Sequence, residues 1–309
     1  MHPDLDPAAA NAIAEFESAL VPPWHALSVP AARRLEDELF SPTEPPPVYA
    51  TRETAIDGPG GDLPVRLYRP RGNGLPTVVF YHGGGFVLGT LDSIDGLCRR
   101  ICRQSPAVVV SVDYRLAPEH PFPAAVEDAT AGLRWAADQA ATLGGDPDRL
   151  VVAGTSAGAT LATTVARRMA REDGPSIDRQ VLAYPMIDPE LTPETPGDAG
   201  TEPPLLRAAD VDWFWEQYLQ TSIDRSHPFA VPGRATDEQP QPPATVLTAG
   251  VDILGAEGRA YVDQLAAANT VVDAHEFPGL PHGFLSLADR VPAAATALDT
   301  VTEAIGTTG

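Results

Sequence analysis

Short apolar segments rich in β-branched residues alternate with longer amphipathic segments from about Val48 onward. Runs of the first kind are typical of strands that are buried on both faces. The segments between them, such as 123–145 and 258–269, have the pattern of amphipathic helices. The alternation predicts an α/β domain in which a mostly parallel sheet carries helices on both faces. The predicted parallel strands are TVVFY (77–81), AVVVSVDY (107–114), RLVVAG (149–154), QVLAYP (180–185) and ATVLTAG (244–250).

Three other stretches complete this organisation. Residues 48–56 and 64–70 predict an antiparallel hairpin that leads into the sheet. Residues 1–47 hold two helical stretches and then SPTEPPP, and about 186–240 are proline-rich around the helical ADVDWFWEQYLQ. Long insertions in α/β domains usually form lids or binding loops. We therefore expect 1–47 and about 186–240 to be two segments of a cap on the domain 48–309.

Composition excludes several functions. The 21 basic residues are all Arg, which excludes Schiff-base chemistry on Lys and nucleotide binding through a P-loop lysine. The formal charge of −21 argues against nucleic acids and anionic membranes as partners. Cys98 and Cys102 lie four apart on a predicted helix without a nearby His, so we expect them to be structural rather than metal ligands.

Targeting features point to an intracellular protein. The N-terminal MHPDLDPAAA carries acids where a signal peptide carries basic residues. No run approaches the roughly 18 apolar residues of a membrane-spanning helix. We therefore expect a cytoplasmic protein with no membrane insertion.

The strongest chemical signal is a serine flanked by glycines where a predicted strand meets a predicted helix. Residues 154–158, GTSAG, match the G-x-S-x-G nucleophile elbow, in which a strained turn exposes the Ser hydroxyl. The apolar strand directly before this turn and the small-residue helix directly after it are the context that the elbow requires. The pattern predicts Ser156 as a nucleophile.

A glycine-rich loop, HGGGF at 82–86, follows the strand TVVFY. Consecutive glycines have no side chains to cover the backbone, so the backbone N–H groups can stabilise a developing oxyanion. We expect the amides of Gly83, Gly84 and Ala157 to be the oxyanion donors, with the amide of Gly85 as a further candidate. A phosphate-binding loop is disfavoured because Leu88 stands where the third glycine of G-x-G-x-x-G would be.

A serine nucleophile needs a general base and an acid that orients the base. Among the seven histidines, His282 lies just after the last predicted strand, where a loop reaches the carboxyl edge of the sheet. His82 is expected instead to fix the glycine loop by hydrogen bonding. Asp252 directly follows a strand and is the predicted acid, with Glu257 as the alternative. Ser, Asp and His then follow the chain order of α/β-hydrolases.

Several motifs together resemble the hormone-sensitive-lipase-like esterases of the α/β-hydrolase superfamily. The resemblance covers about residues 63–285 and includes the GTSAG variant of the elbow, with Thr155 and Ala159 in place of the Asp and second Gly of GDSAGG. The motifs are HGGGF, DYRLAPEHPFPAAVED (113–128), GGDPDRLVVAGTSAG (144–158), YPMID (184–188), VD (251–252) and HGF (282–284).

The resemblance implies an eight-stranded sheet, a helical cap and hydrolysis of short to medium acyl esters without a cofactor or a metal. It also implies that Asp113, Arg115 and Glu127 support the site structurally, and that the protein pairs as a homodimer through its last strand and helix. An amide hydrolase of the arylacetamide-deacetylase type and a non-catalytic ligand receptor are the alternatives.

The substrate pocket is the least defined part of the site. Aromatic residues of the predicted cap helix are expected mostly to attach the cap, while one or two line the pocket. The two cap segments hold 19 of the 42 acidic residues and five of the 21 arginines, which would disfavour anionic substrates. The candidate pocket residues are Phe86, Tyr184, Trp213 and Phe214.

Overall fold

A single mixed sheet organises the chain in a computed structural model, which describes residues 2–18, 21–41, 44–172, 174–190, 202–236 and 239–307. The strands lie in the order β1-β2-β4-β3-β5-β6-β7-β8. Antiparallel pairing joins β1 to β2 and β2 to β4, whereas the pairs from β4 to β8 are parallel. The strands are β1 Ala50–Gly58, β2 Gly61–Arg69, β3 Leu75–Tyr81, β4 Val108–Val112, β5 Gly145–Thr155, β6 Arg179–Ala183, β7 Ala244–Val251 and β8 Val272–Pro281.

This architecture confirms the predicted α/β-hydrolase fold with its eight strands, its parallel centre and its N-terminal hairpin. The helices within the described residues are α1 Pro7–Ser18, α2 Val29–Phe40, α3 Asp95–Gln104, α4 Ala124–Leu143, α5 Ala157–Arg171, α6 Ala208–Tyr218, α7 Ser222–Ser226, α8 Gly255–Ala267 and α9 Pro292–Gly306. Among the residues that the structure describes, no helix combines the length and apolar character needed to cross a bilayer.

Both faces of the central strands are buried, as their continuous apolar runs predict. Val79 and Val152 face the core that α4 and α5 cover, whereas Val78 and Val151 face the core that α3 and α9 cover. Each fully buried Val stabilises the fold by about 1.5–3 kcal/mol. Two stacked cores therefore hold β3 and β5 rigidly in the middle of the molecule.

The register of β3 and β5 brings the two predicted chemical motifs together. Tyr81, the last residue of β3, pairs with Gly154 near the end of β5. Both strands run in the same direction, so the glycine loop and the serine turn leave the same edge of the sheet side by side.

The N-terminal segment and the segment that follows β6 meet in space. His25 lies in a short 3-10 turn, Trp24–Ala26, that contacts α6. Its backbone N–H donates to Asp210 Oδ1 at 2.9 Å, and its ring Nδ1 lies 2.7 Å from the same oxygen. Residues 191–201 of the predicted second cap segment lie outside the described residues.

Candidate active site

The site lies at the carboxyl edge of the parallel strands. Ser156 directly follows β5, Asp252 directly follows β7, and His282 directly follows β8. The carboxyl ends of parallel strands share one edge of the sheet, so three residues that are far apart in sequence converge there. The structure brings together the predicted nucleophile, acid and base.

The turn at Ser156 has the strained backbone of an elbow, with φ 53° and ψ −123°. A hydrogen bond of 2.9 Å from the Ser156 N–H to the Ala183 carbonyl holds this conformation. Gly158, in the first turn of α5, passes so close to the carbonyl oxygens of Tyr81 and His82 that a Cβ atom would overlap them. The glycine therefore lets the helix begin directly beside β3, with the Ser156 side chain at its N-terminus.

A chain of hydrogen bonds joins the three side chains. His282 Nε2 lies 3.0 Å from Ser156 Oγ, and His282 Nδ1 lies 2.8 Å from Asp252 Oδ2. The Asp252 side chain is 1% exposed, and its Oδ1 accepts the Leu254 N–H at 3.0 Å. Because a carboxylate only accepts, Nδ1 carries the proton and Nε2 is left to accept the Ser156 hydroxyl proton.

The glycine loop borders the serine. A Cβ atom on Gly83 would lie 3.4 Å from Ser156 Cβ, and Gly84 and Gly85 have φ values of 104° and 61° that favour glycine. Within the described residues, the N–H groups of Gly83, Gly84 and Ala157 donate no hydrogen bond to the protein. These three amides are thus free to bind a ligand oxygen.

His82 fixes the first turn of this loop, as its place in the sequence predicts. Its Nδ1–H donates to the Gly83 carbonyl at 2.8 Å, and its ring stacks on Tyr114 with centroids 4.3 Å apart. The Tyr114 hydroxyl donates to the His82 carbonyl at 2.8 Å. Burial lowers the pKa of His82 to about 4, so the imidazole is neutral near pH 7.

The four candidate pocket residues take different positions. Tyr184 is buried, and its ring meets the His282 ring edge-on at 4.9 Å. Phe214 is buried against Gly85, where a Cβ atom would overlap its ring. Phe86 is fully buried and stacks on Tyr218, so it packs the core under α6. Trp213 is half-buried beside Phe214.

The alternative acid, Glu257, is engaged elsewhere. Its two carboxylate oxygens accept the N–H groups of Ile187 at 3.1 Å and Asp188 at 2.8 Å. Burial raises the pKa of Glu257 well above its ordinary value, and the nearby Asp252 adds to the rise. Glu257 therefore holds the loop after β6, whereas Asp252 binds the imidazole.

Arg115, which the resemblance implies is a structural support, pairs mainly with a residue outside the implied set. Arg115 forms a two-pronged ion pair with Asp128, at 2.8 Å for both Nε–Oδ2 and Nη2–Oδ1, whereas its Glu127 contact is 3.5 Å. Asp128, on α4, is buried, whereas the Glu127 side chain is 44% exposed. Asp113 is half-buried two positions before Arg115, and partial burial raises its pKa to about 6.

Sequence reasoning missed Asp128, although it ends a motif that the resemblance includes, and it missed Arg33 altogether. The Arg33 guanidinium on α2 donates to the carbonyl of Val87, just beyond the glycine loop, at 2.9 Å. No local pattern marks this contact, because it joins a surface helix to a loop 54 residues away.

Comparison with known proteins extends these observations. A family model described as the alpha/beta hydrolase fold matches residues 78–286. Carboxylic ester hydrolase LipN of Mycobacterium tuberculosis is 46% identical over 76% of this chain and 64% of LipN. Carboxylesterase NlhH of the same organism is 38% identical over 96% of this chain and 93% of its own. The solved structure of a hyperthermophilic esterase from Pyrobaculum calidifontis superposes with a TM-score of 0.88 at 35% identity, covering 98% of both chains.

Proposed function

Because the chain belongs to the hormone-sensitive-lipase-like esterases of the α/β-hydrolase superfamily and is a carboxylic ester hydrolase, we propose that Ser156, His282 and Asp252 are its catalytic triad. The observation that carries the proposal is the continuous hydrogen-bonded chain from Ser156 Oγ through both ring nitrogens of His282 to the Asp252 carboxylate. This is the arrangement by which a base activates a serine and an acid orients that base.

Hydrolysis proceeds in two halves in this proposal. His282 Nε2 accepts the hydroxyl proton while Ser156 Oγ attacks the ester carbonyl carbon, and Asp252 stabilises the imidazolium that forms. When the tetrahedral intermediate collapses, the imidazolium gives its proton to the departing alcohol, and the acyl group stays on Ser156. Water then attacks the acyl-enzyme with His282 as base, and the acid leaves as Ser156 recovers its proton.

The tetrahedral oxyanion is placed against the amides of Gly83, Gly84 and Ala157. The free N–H groups and the position of Ala157 at the N-terminus of α5 support this placement, because the helix dipole also favours negative charge there. The Phe214 ring packs against Gly85 on the side where a Cβ atom would stand. Loss of one oxyanion donor typically costs about 10²–10³ in kcat.

We expect short to medium acyl chains as substrates. Phe214 lies directly against the glycine loop, and the half-buried Trp213 lies beside it, so aromatic rings limit the space above the proposed oxyanion site. A p-nitrophenyl ester series should therefore give a higher kcat/KM for acetate to octanoate than for palmitate. A maximum at palmitate would refute this part of the proposal.

The triad is tested by hydrolysis of p-nitrophenyl butyrate by the wild type, Ser156→Ala and His282→Ala. Both substitutions should lower kcat by about 10⁴ or more. Glu257→Gln separates the two carboxylates, because it should leave much more activity than Asp252→Asn. Near-normal turnover by Ser156→Ala would exclude the proposed nucleophile.

A homodimer stays a prediction, as does a cytoplasmic location. The position of β8 at the edge of the sheet, with Val271 before it 71% exposed, is compatible with pairing through this edge. Sedimentation of the purified protein over a range of concentrations tests the oligomeric state directly.

A further inference from the structure

One face of α2 lies against the segment that continues from the glycine loop, residues 87–93. Arg33, Glu36 and Asp37 lie on this face, since side chains three and four positions apart in a helix are neighbours. Each of the three makes a polar contact with residues 87–93. Helix α2 therefore contacts the segment that follows the proposed oxyanion loop at several points.

Glu36 and Asp37 hold the distal half of this segment. Asp37 Oδ1 accepts the Thr90 hydroxyl at 2.9 Å. The Glu36 side chain is buried, and its carboxyl lies close to the Gly89 backbone and the Ser93 side chain. These contacts fix residues 89–93, several positions beyond the proposed donors.

Arg33 holds the proximal half, nearest to the donors. Its Nε donates to the Val87 carbonyl at 2.9 Å, and its Nη2 donates to the Ala117 carbonyl at 2.9 Å. The Ala117 N–H in turn donates to the Phe86 carbonyl at 2.9 Å. Arg33 therefore closes a ring of hydrogen bonds that joins α2, the glycine loop and the loop after β4.

The ring is coupled directly to a proposed oxyanion donor. The N–H groups of Val87 and Leu88 both donate to the Gly84 carbonyl, at 3.0 and 2.8 Å. The Leu88 carbonyl lies so close to Gly84 that a Cβ atom there would overlap it. Residues 84–88 are consequently one tight turn, so a shift of Val87 reorients Gly84.

We propose that Arg33 is a positioning residue for the oxyanion hole: by holding the Val87 and Ala117 carbonyls, it keeps the Gly84 amide aimed at the tetrahedral intermediate. The inference rests on the proposed function, because it concerns how that intermediate is stabilised. Arg33 touches no reacting atom and acts only through the loop.

The planar fork of the guanidinium suits this role. One edge of the group bonds to backbone carbonyls, and Glu119 accepts from Nη1 at 2.9 Å and from Nη2 at 2.7 Å. A Lys ammonium is a point charge that lacks this fixed geometry. Glu119 is more than half exposed, so its pair with Arg33 is screened by water and secondary to the two carbonyl contacts.

The test compares Arg33→Met and Arg33→Lys with two matched controls. Glu119→Gln leaves both carbonyl contacts of Arg33 in place. Arg134→Met removes a different arginine, which pairs with Glu172 on the outside of α4 and α5. Each variant is titrated with a fluorophosphonate first, so that kcat refers to competent sites only.

Three quantities are measured: kcat and KM for p-nitrophenyl butyrate, and the inhibition constant of a trifluoromethyl ketone, whose adduct places an oxyanion in the hole. Arg33→Met should lower kcat about 10–100-fold, less than loss of a donor outright, with KM within about twofold. Affinity for the ketone should fall by a similar factor. Arg33→Lys should also be impaired, and both controls should remain within about twofold of the wild type.

A purely structural role would lower the melting temperature and the number of titrated sites but would leave kcat per site and ketone affinity unchanged. Unchanged kcat per titrated site and unchanged ketone affinity in Arg33→Lys would overturn the inference. The same result in Arg33→Met would also overturn it, provided that this variant folds. Failure of the proposed function is distinguishable, because the wild type itself would then not be labelled at Ser156.

Discussion

Gly158→Ala is the substitution that most directly probes the fit between the serine turn and the glycine loop. A Cβ atom at this position would overlap the carbonyl oxygens of Tyr81 and His82. Both oxygens belong to the backbone at the end of β3, which lies between β4 and β5 in the middle of the sheet. The strand cannot yield, so the start of α5 must move.

The expected magnitude follows from two opposing effects. Ala in place of Gly stabilises a helix interior by up to about 1 kcal/mol. Overpacking against a rigid neighbour costs about 1–3 kcal/mol, and here the neighbour is backbone. We expect a net loss of about 1–2 kcal/mol in the free energy of unfolding, or a few degrees in Tm.

The effect on catalysis should be larger than the effect on stability. Movement of α5 displaces Ser156 and the Ala157 amide from Gly83, and a displacement of about 1 Å in a reacting group can cost about 10² in rate. kcat for p-nitrophenyl butyrate should fall by about that factor, with a much smaller change in KM.

Calorimetry and steady-state kinetics of Gly158→Ala and Gly306→Ala make the test. Gly306 ends α9, and apart from its chain neighbours and the backbone of its own helix no heavy atom of the described residues lies within 4 Å of a Cβ placed on it. Gly306→Ala should therefore match the wild type in both measurements. A Gly158→Ala protein with wild-type Tm and kcat would refute the close approach of α5 to β3.

Three further substitutions have defined outcomes. Burial raises the pKa of Glu36 to about 7, so the folded protein favours the protonated carboxyl. The free energy of unfolding of the wild type should therefore fall by up to about 3 kcal/mol as the pH rises from about 4.5 to 7. Urea unfolding of Glu36→Gln over the same pH range should not show this fall. Asp252→Asn should lower kcat by about 10⁴ with little change in the folded fraction, because the imidazole then loses its preferred tautomer; retention of a tenth of the activity would contradict the proposed acid. Phe214→Ala should shift the acyl-chain optimum toward longer p-nitrophenyl esters, and an unchanged profile would place Phe214 outside the pocket.

Local sequence patterns predicted most of the fold and the three proposed triad residues. Continuous apolar runs such as TVVFY mark strands buried on both faces, and the observed β3 is buried in this way. Ser156, Asp252 and His282 were identified because each follows a strand, and parallel strands bring their ends together. Chain order and topology therefore predicted two long-range contacts of His282, one with Ser156, 126 residues away, and one with Asp252, 30 residues away.

Contacts that depend on how surface helices dock were not predictable in this way. Arg33 is one of 21 arginines, and nothing in its neighbourhood distinguishes it from an ordinary exposed residue of an amphipathic helix. Arg115 pairs mainly with Asp128 rather than with Glu127, and this depends on how α4 is rotated about its axis. The sequence does not fix that rotation, because the two acids are adjacent. The pocket residues were not predictable for the same reason, since the packing of α6 decides which aromatic rings are buried.

Covalent labelling of Ser156 is the direct test of its role as the nucleophile. The wild type and Ser156→Ala are incubated with a fluorophosphonate, and residual esterase activity is followed while intact mass and tandem mass spectra locate the adduct. We expect one adduct per wild-type chain on Ser156, loss of activity in proportion to labelling, and no adduct on Ser156→Ala. An adduct on another residue, or full activity in a protein that is completely labelled at Ser156, would contradict it.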